Sequence, residues 1–312
     1  MRGSSSRILR LPPIAFMVAA WAFTPVWAAD PFTQGPKVCE ECHEVEYEIW
    51  EDTKHFKRYR NLHKIPKAKK MVEAMGGGNS AKSSPVCTSC HYTMAQKSAD
   101  GSSKARAGVS CESCHGPSSE YEEPHADVPE GESADARAAR LEDSRQKGLI
   151  HSQMHYDIAL NCMECHGLAR PDMDPDVLAQ LMALDHPWEP EFELVRYSQG
   201  SVRHRFYPPD MTVNQEMNAQ ELAILFVTGQ AAKLVTANAA ASNTSDAEYK
   251  KVQEQRVEEA RQALSAVTSV GEAAALVAAP SEDNARKLVE AIQGKDLSSE
   301  VGSMLPSEKD YE

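Results

Sequence analysis

The chain has 312 residues, with 33 Lys and Arg against 46 Asp and Glu, and a formal net charge of −13. That acidity argues against a nucleic-acid partner, whose phosphates call for a basic surface. At 41% hydrophobic and 6% aromatic, the sequence is lean for one large or two ordinary domains, and side chains alone would make a thin core.

Residues 1–28 read as a secretory signal peptide. Arg2, Arg7 and Arg10 give a positive start, and an apolar stretch from Leu11 to Trp27 ends in Val26-Trp27-Ala28, a cleavage-site pattern. Pro12, Pro13 and Pro25 interrupt that stretch, so it falls short of the roughly 20 apolar residues that span a membrane. No later segment reads as long and apolar enough to cross a bilayer. The expected location is the periplasm, with no membrane span once the signal is cut.

Residues 29–170 carry every cysteine in the chain, in four copies of Cys-x-x-Cys-His: Cys39, Cys42 and His43; Cys87, Cys90 and His91; Cys111, Cys114 and His115; Cys162, Cys165 and His166. Each is a c-type haem attachment signature. Two thiols one short turn apart can add to the two vinyl groups of one porphyrin, while the next residue's imidazole meets the iron. A redox dithiol, a zinc site or a disulfide framework could explain one copy. Four copies, each completed by His with no cysteine left over, favour four covalently bound haem c groups. Their apolar faces would supply the missing core. Pinning the chain at intervals also makes long irregular connections tolerable.

Within this segment Lys54, Lys57, Arg58, Arg60, Lys64, Lys67, Lys69 and Lys70 form the one strongly basic stretch. It could neutralise haem propionates, dock an acidic redox partner, or be a solvated helix face. Lys97 to Gly108 is polar with Gly and Ser and reads as a surface loop. Asp127 to Lys147 reads as a solvated helix or linker.

Residues 171–210 are a Pro-rich and Asp-rich connection ending in a turn at Pro208-Pro209-Asp210. Residues 211–312 are a helical C-terminal extension. Leu222 and Ile224 to Val227 suggest a buried helix with an interior weak point at Thr228-Gly229. Ser245-Asp246-Ala247-Glu248 predicts a capping box opening a helix to about Val270, and Ser281 to Ile292 predicts another, closed by Gly294. A narrow apolar stripe (Val252, Ala260, Ala263, Val267) calls for a helical partner. Folding back on the haem core is the expectation, with a homo-oligomer through these helices as the alternative. The fold class is thus mainly α: a multihaem c-type cytochrome core of short helices and loops around four haems, with the helical extension.

Eleven histidines are present. With His43, His91, His115 and His166 as proximal ligands, His55, His63, His125, His151, His155, His186 and His204 remain for distal duty. Methionine can also be axial, and Met71, Met75, Met94 and Met154 are in reach by sequence.

Two stretches carry a resemblance: Cys39 to His43 followed by Trp50-Glu51-Asp52-Thr53-Lys54-His55, and Gly108 to Pro117 with His125 beyond. Over roughly residues 37–167 the chain resembles the tetrahaem cytochrome c-554 family, whose members accept electrons from hydroxylamine oxidoreductase in ammonia oxidation or serve other respiratory chains. The resemblance implies His55 as distal ligand of the third haem, His125 of the first, and His155, or else His151, of the fourth. It also implies an open second haem, and near-parallel and near-perpendicular haem pairs. His63, His186 and His204 find no place in it. The expected function is electron transfer between a periplasmic donor oxidoreductase and an acceptor. The alternative is an enzyme acting on nitric oxide, hydroxylamine or a similar molecule at the second haem.

Overall fold

Each Cys-x-x-Cys-His motif lies on or just beyond a short helix, and local sequence explains each start. In this computed structural model, which describes residues 30–207 and 210–312, α1 spans Lys37–Glu40 and leads into Cys42 and His43. α5 (Pro85–His91) opens on a proline, whose missing N–H costs nothing there. α6 (Cys111–His115) opens on a capping box, Ser110 with Ser113. The fourth motif ends the longer α9 (His155–His166). Helical spacing sets Cys, Cys and His at i, i+3 and i+4, on one face. The signal-peptide reading of residues 1–28 and the turn at Pro208-Pro209 lie outside the described residues.

Between the first two motifs run α2 (Glu44–Asp52), α3 (Lys54–Asn61) and α4 (Pro66–Ala74). Thr53 caps α3 by accepting from the Phe56 N–H at 3.2 Å. Trp50 Nε1 donates to the Val109 carbonyl at 2.8 Å, tying α2 to the start of the third motif. The expected loop Lys97 to Gly108 is partly a strand: β2 (Lys104–Ala107) pairs antiparallel with β1 (Thr93–Ala95), with a register shift between Thr93 and Met94. Composition hid it, because β2 is half polar and exists only through its partner. α7 (Glu122–Ala126) precedes α8 (Ala134–Gln146), where Ser144 alone is buried, as suits a solvated helix.

Residues 31–312 form one compact unit. α10 (Pro175–Ala183) and α11 (Leu194–Ser198) lie in the Pro-rich connection. They are followed by α12 (Ala219–Asn243), α13 (Ala247–Ser265), α14 (Gly271–Ala278), α15 (Glu282–Ala291) and α16 (Ser298–Val301). α12 runs unbroken through Thr228 and Gly229. The glycine admits α11, since a Cβ at 229 would sit 2.8 Å from the Leu194 Cβ. α13 is capped by Asp246, with no capping box at Ser245, whose hydroxyl instead donates to Asp176 at 2.9 Å. The helix ends at Ser265, short of Val270.

The extension folds back on α9. Ala159 and Met163 of α9 share a fully buried cluster with Ala231 and Leu234 of α12, Ala260 and Leu264 of α13, and Leu276 and Leu288 beyond. Each such leucine contributes about 1.5–3 kcal/mol through burial. Polar ties cross the same seam: Arg286 Nη2 to Asp157 Oδ1 at 2.7 Å, and the Tyr249 hydroxyl to the Leu168 carbonyl. One expectation needs correcting. α12 is long and apolar enough to cross a membrane by length and composition, but 72% of its most apolar window is buried inside the protein.

Candidate metal centres

Every motif histidine faces a second histidine. His43 and His125 have ring centroids 6.1 Å apart and planes 11° from parallel. His91 and His186 stand 5.7 Å apart at 44°, with their Nε2 atoms facing at 3.4 Å. His115 and His204 are 6.2 Å apart at 81°, and His166 and His55 are 6.0 Å apart at 59°. Two in-line bonds of about 2 Å from a metal to imidazole put the nitrogens about 4 Å apart and the ring centres roughly 6 Å apart. The ring centres of the four pairs match that span, and the facing nitrogens of His91 and His186 stand a little closer than it. Two imidazoles from opposite sides are the axial set of a planar macrocycle, not the tetrahedral set of zinc.

Three of the eight rings are also held from behind, whereas among the described residues Nδ1 of His125 and of His186 is buried without a hydrogen-bond partner. His115 Nδ1 bonds the Ile150 carbonyl at 2.8 Å, His204 Nδ1 the Val202 carbonyl at 2.7 Å, and His166 Nδ1 the Glu189 carboxylate at 3.1 Å. His43 Nδ1 lies 3.7 Å from Glu46 Oε1. A proton held on Nδ1 leaves the Nε2 lone pair for a metal, and a carboxylate behind it makes the ligand more basic. Burial pushes His55, His91 and His115 down to about 4, so these imidazoles are neutral at physiological pH, the form that binds iron. The residues present therefore fit a haem at each motif.

Neighbouring motifs touch through their thiols. Cys39 of the first lies beside Cys111 of the third, and Cys90 of the second beside Cys165 of the fourth. The third and fourth are joined where Asn161 Nδ2 donates to the Cys114 carbonyl at 3.3 Å. The spatial order is first, third, fourth, second.

His125 stands opposite His43. His55, expected opposite His115, faces His166 instead, because α3 passes beside α5 and the end of α9. His155, expected opposite His166, does not face it. The two residues start and end the same α9, and 11 residues of helix set them about 16 Å apart along one axis. His151 lies further upstream still. The second motif, expected to be open, has His186 across from His91. His186 and His204 lie on the loops that follow α10 and α11, and the only sequence signal for them was that they were left over in the count. Glu189, behind His166, went unnoticed for want of any motif.

Residues 38–116, which hold the first three motifs, match the family model described as cytochrome c554 and c-prime. Cytochrome c-554 of Nitrosomonas europaea is 29% identical over 146 residues, 45% of this chain and 59% of that relative. The chain therefore spans about three fifths of the length of the curated relative it matches. No solved structure matches it. Helices that present two thiols and an imidazole on one face are what covalent attachment of haem c requires, and over the stretch that holds the first three motifs the chain is similar to the cytochrome c-554 family.

Proposed function

We propose that this protein is an exported, periplasmic electron carrier with four haem c groups, each held by two thioethers and two imidazoles. The axial pairs are His43 with His125, His91 with His186, His115 with His204, and His166 with His55. Bound haem supplies a one-electron Fe(III)/Fe(II) couple. The polypeptide would hold the axial rings, fix the Nδ1 protons of His115, His204 and His166 through Ile150, Val202 and Glu189, and pack the helical extension against the helix that ends in the fourth motif. Electrons would pass from a donor oxidoreductase in a respiratory chain, along the order first, third, fourth and second in either direction, to an acceptor.

The observation that carries this reading is the partner histidine at all four motifs. An iron with both axial positions taken offers no place for a substrate, so the arrangement favours a relay over small-molecule chemistry at the second site. Electron paramagnetic resonance of the oxidised protein is expected to show only low-spin iron. The near-parallel rings of the His43 pair split the iron d orbitals and should give a resolved rhombic signal. The near-perpendicular rings of the His115 pair leave those orbitals almost degenerate and should give a single, strongly anisotropic feature. Carbon monoxide is expected to leave the ferrous spectrum unchanged. A high-spin ferric signal worth one iron in four, with a carbon monoxide shift, would return the second site to the enzyme reading. A protein mass without four added haems would end the tetrahaem assignment.

A further inference from the structure

The two ends of the row carry opposite charge. At the second-motif end, the eight cations between Lys54 and Lys70 are all exposed, and no Asp or Glu falls among them. Among the described residues only Lys57 of the eight is in an ion pair, 3.6 Å from Asp52. The stretch lies beside the second motif: α3, which carries Lys54, Lys57, Arg58 and Arg60, packs against α5, which ends in His91. At the first-motif end the sign reverses. His43 caps α2, which exposes Glu44, Glu48 and Glu51, and His125 sits in α7 behind exposed Glu122 and Glu123. Two cations at that end are paired, Lys37 with Glu40 at 2.5 Å and Arg140 with Glu132 at 2.7 Å.

We infer that the haem row ends in two docking surfaces of opposite sign: a basic one beside His91 and His186 for the acidic face of one redox protein, and an acidic one beside His43 and His125 for the basic face of another. This rests on the electron-carrier reading. A molecule of net charge −13 would repel anionic partners over most of its surface, so the basic patch confines their approach to one end. Local fields of this kind raise association rates by about 10–10³-fold and fade beyond a Debye length of about 10 Å at 0.1 M salt. The two partners would not compete for one surface and could dock at the same time.

The holoprotein can be tested with two small probes of opposite charge in stopped flow. Ferrous haem gives one electron to ferricyanide, which becomes ferrocyanide. Hexaammineruthenium(II) gives one electron to ferric haem and becomes the ruthenium(III) complex. The variant Lys67→Glu/Lys69→Glu/Lys70→Glu is expected to slow the ferricyanide reaction about tenfold at low ionic strength and leave the ruthenium rate near wild type, which also reports an intact fold. Glu44→Lys/Glu48→Lys/Glu51→Lys is expected to do the reverse. A mere change in driving force has the opposite sign: negative charge beside a haem stabilises the ferric state and would speed oxidation by ferricyanide. Rates unchanged in both variants, or both variants altering both probes by similar factors, would overturn the assignment of separate ports. A wild-type holoprotein that exchanged electrons with neither probe would defeat the carrier reading and the ports with it.

Discussion

Among the described residues Arg256 is the largest fully buried side chain, and it lies just beyond the helix that carries the fourth motif. Its Nη1 donates to the Gly167 carbonyl at 3.1 Å and to Gln253 Oε1 at 2.8 Å. The glycine at 167 leaves room for the guanidinium, which a Cβ there would displace. Burial lowers its pKa to about 10, which still leaves it charged at neutral pH. An internal cation destabilises ferric more than ferrous iron, so Arg256 should raise the potential of the fourth site. A unit charge on the order of 10 Å away at an effective dielectric of about 20 is worth about 1.7 kcal/mol, or about 70 mV for one electron. Arg256→Met is therefore expected to lower one haem potential by tens of millivolts in a spectroelectrochemical titration, with Arg256→Lys close to wild type. Gln253 also bonds the Gly167 carbonyl, at 3.0 Å, so that acceptor stays satisfied and the stability change should be small. Four unmoved potentials would rule the role out. The four Cys-x-x-Cys-His motifs were legible because covalent attachment of haem calls for a fixed spacing. The opposing histidines were not, because the pairing of His91 with His186 closes a separation of 95 residues that only tertiary packing decides.

Helix starts were readable where a side chain has one local job. Asn218 with Glu221, Asp246 and Ser281 each satisfy backbone N–H groups within the next turn. What α12 packs against was harder to read. Its composition suits a bilayer as well as a core, and fold-back became decidable only once α9 and α13 were seen to cover it. Leu234, fully buried in that seam, gives the test. Leu234→Ala is expected to cost about 2–5 kcal/mol through lost burial and the cavity left behind, read as a lower urea midpoint. Because the same cluster holds Ala159 and Met163 of α9, far-ultraviolet circular dichroism and haem absorbance should lose their signals in one transition. A haem transition left at the wild-type midpoint while helicity fell earlier would show that the extension unfolds on its own.

At the scale of the molecule, the proposed relay in the order first, third, fourth, second would make the fourth site an obligatory step between the two charged ends. That order departs from the order along the chain and follows from the Cys39 to Cys111 and Cys90 to Cys165 contacts, which no motif spacing encodes. It can be tested by changing one ligand in the middle. In His55→Met a thioether would replace the imidazole opposite His166, and a Met/His axial set raises the potential of a haem. The altered site would become the lowest point for an electron in the row. Partial reduction should then bleach one low-spin signal first, that of the fourth site, and hold the electron there. Throughput between a reductant that enters at the acidic end and an oxidant that leaves at the basic end should fall, although each probe still reaches its own terminal haem at the wild-type rate. Were the second site in direct contact with the first or third, electrons would bypass the trap and steady-state throughput would stay at the wild-type level. Undiminished throughput in His55→Met would thus refute the linear order while leaving the four axial pairs standing.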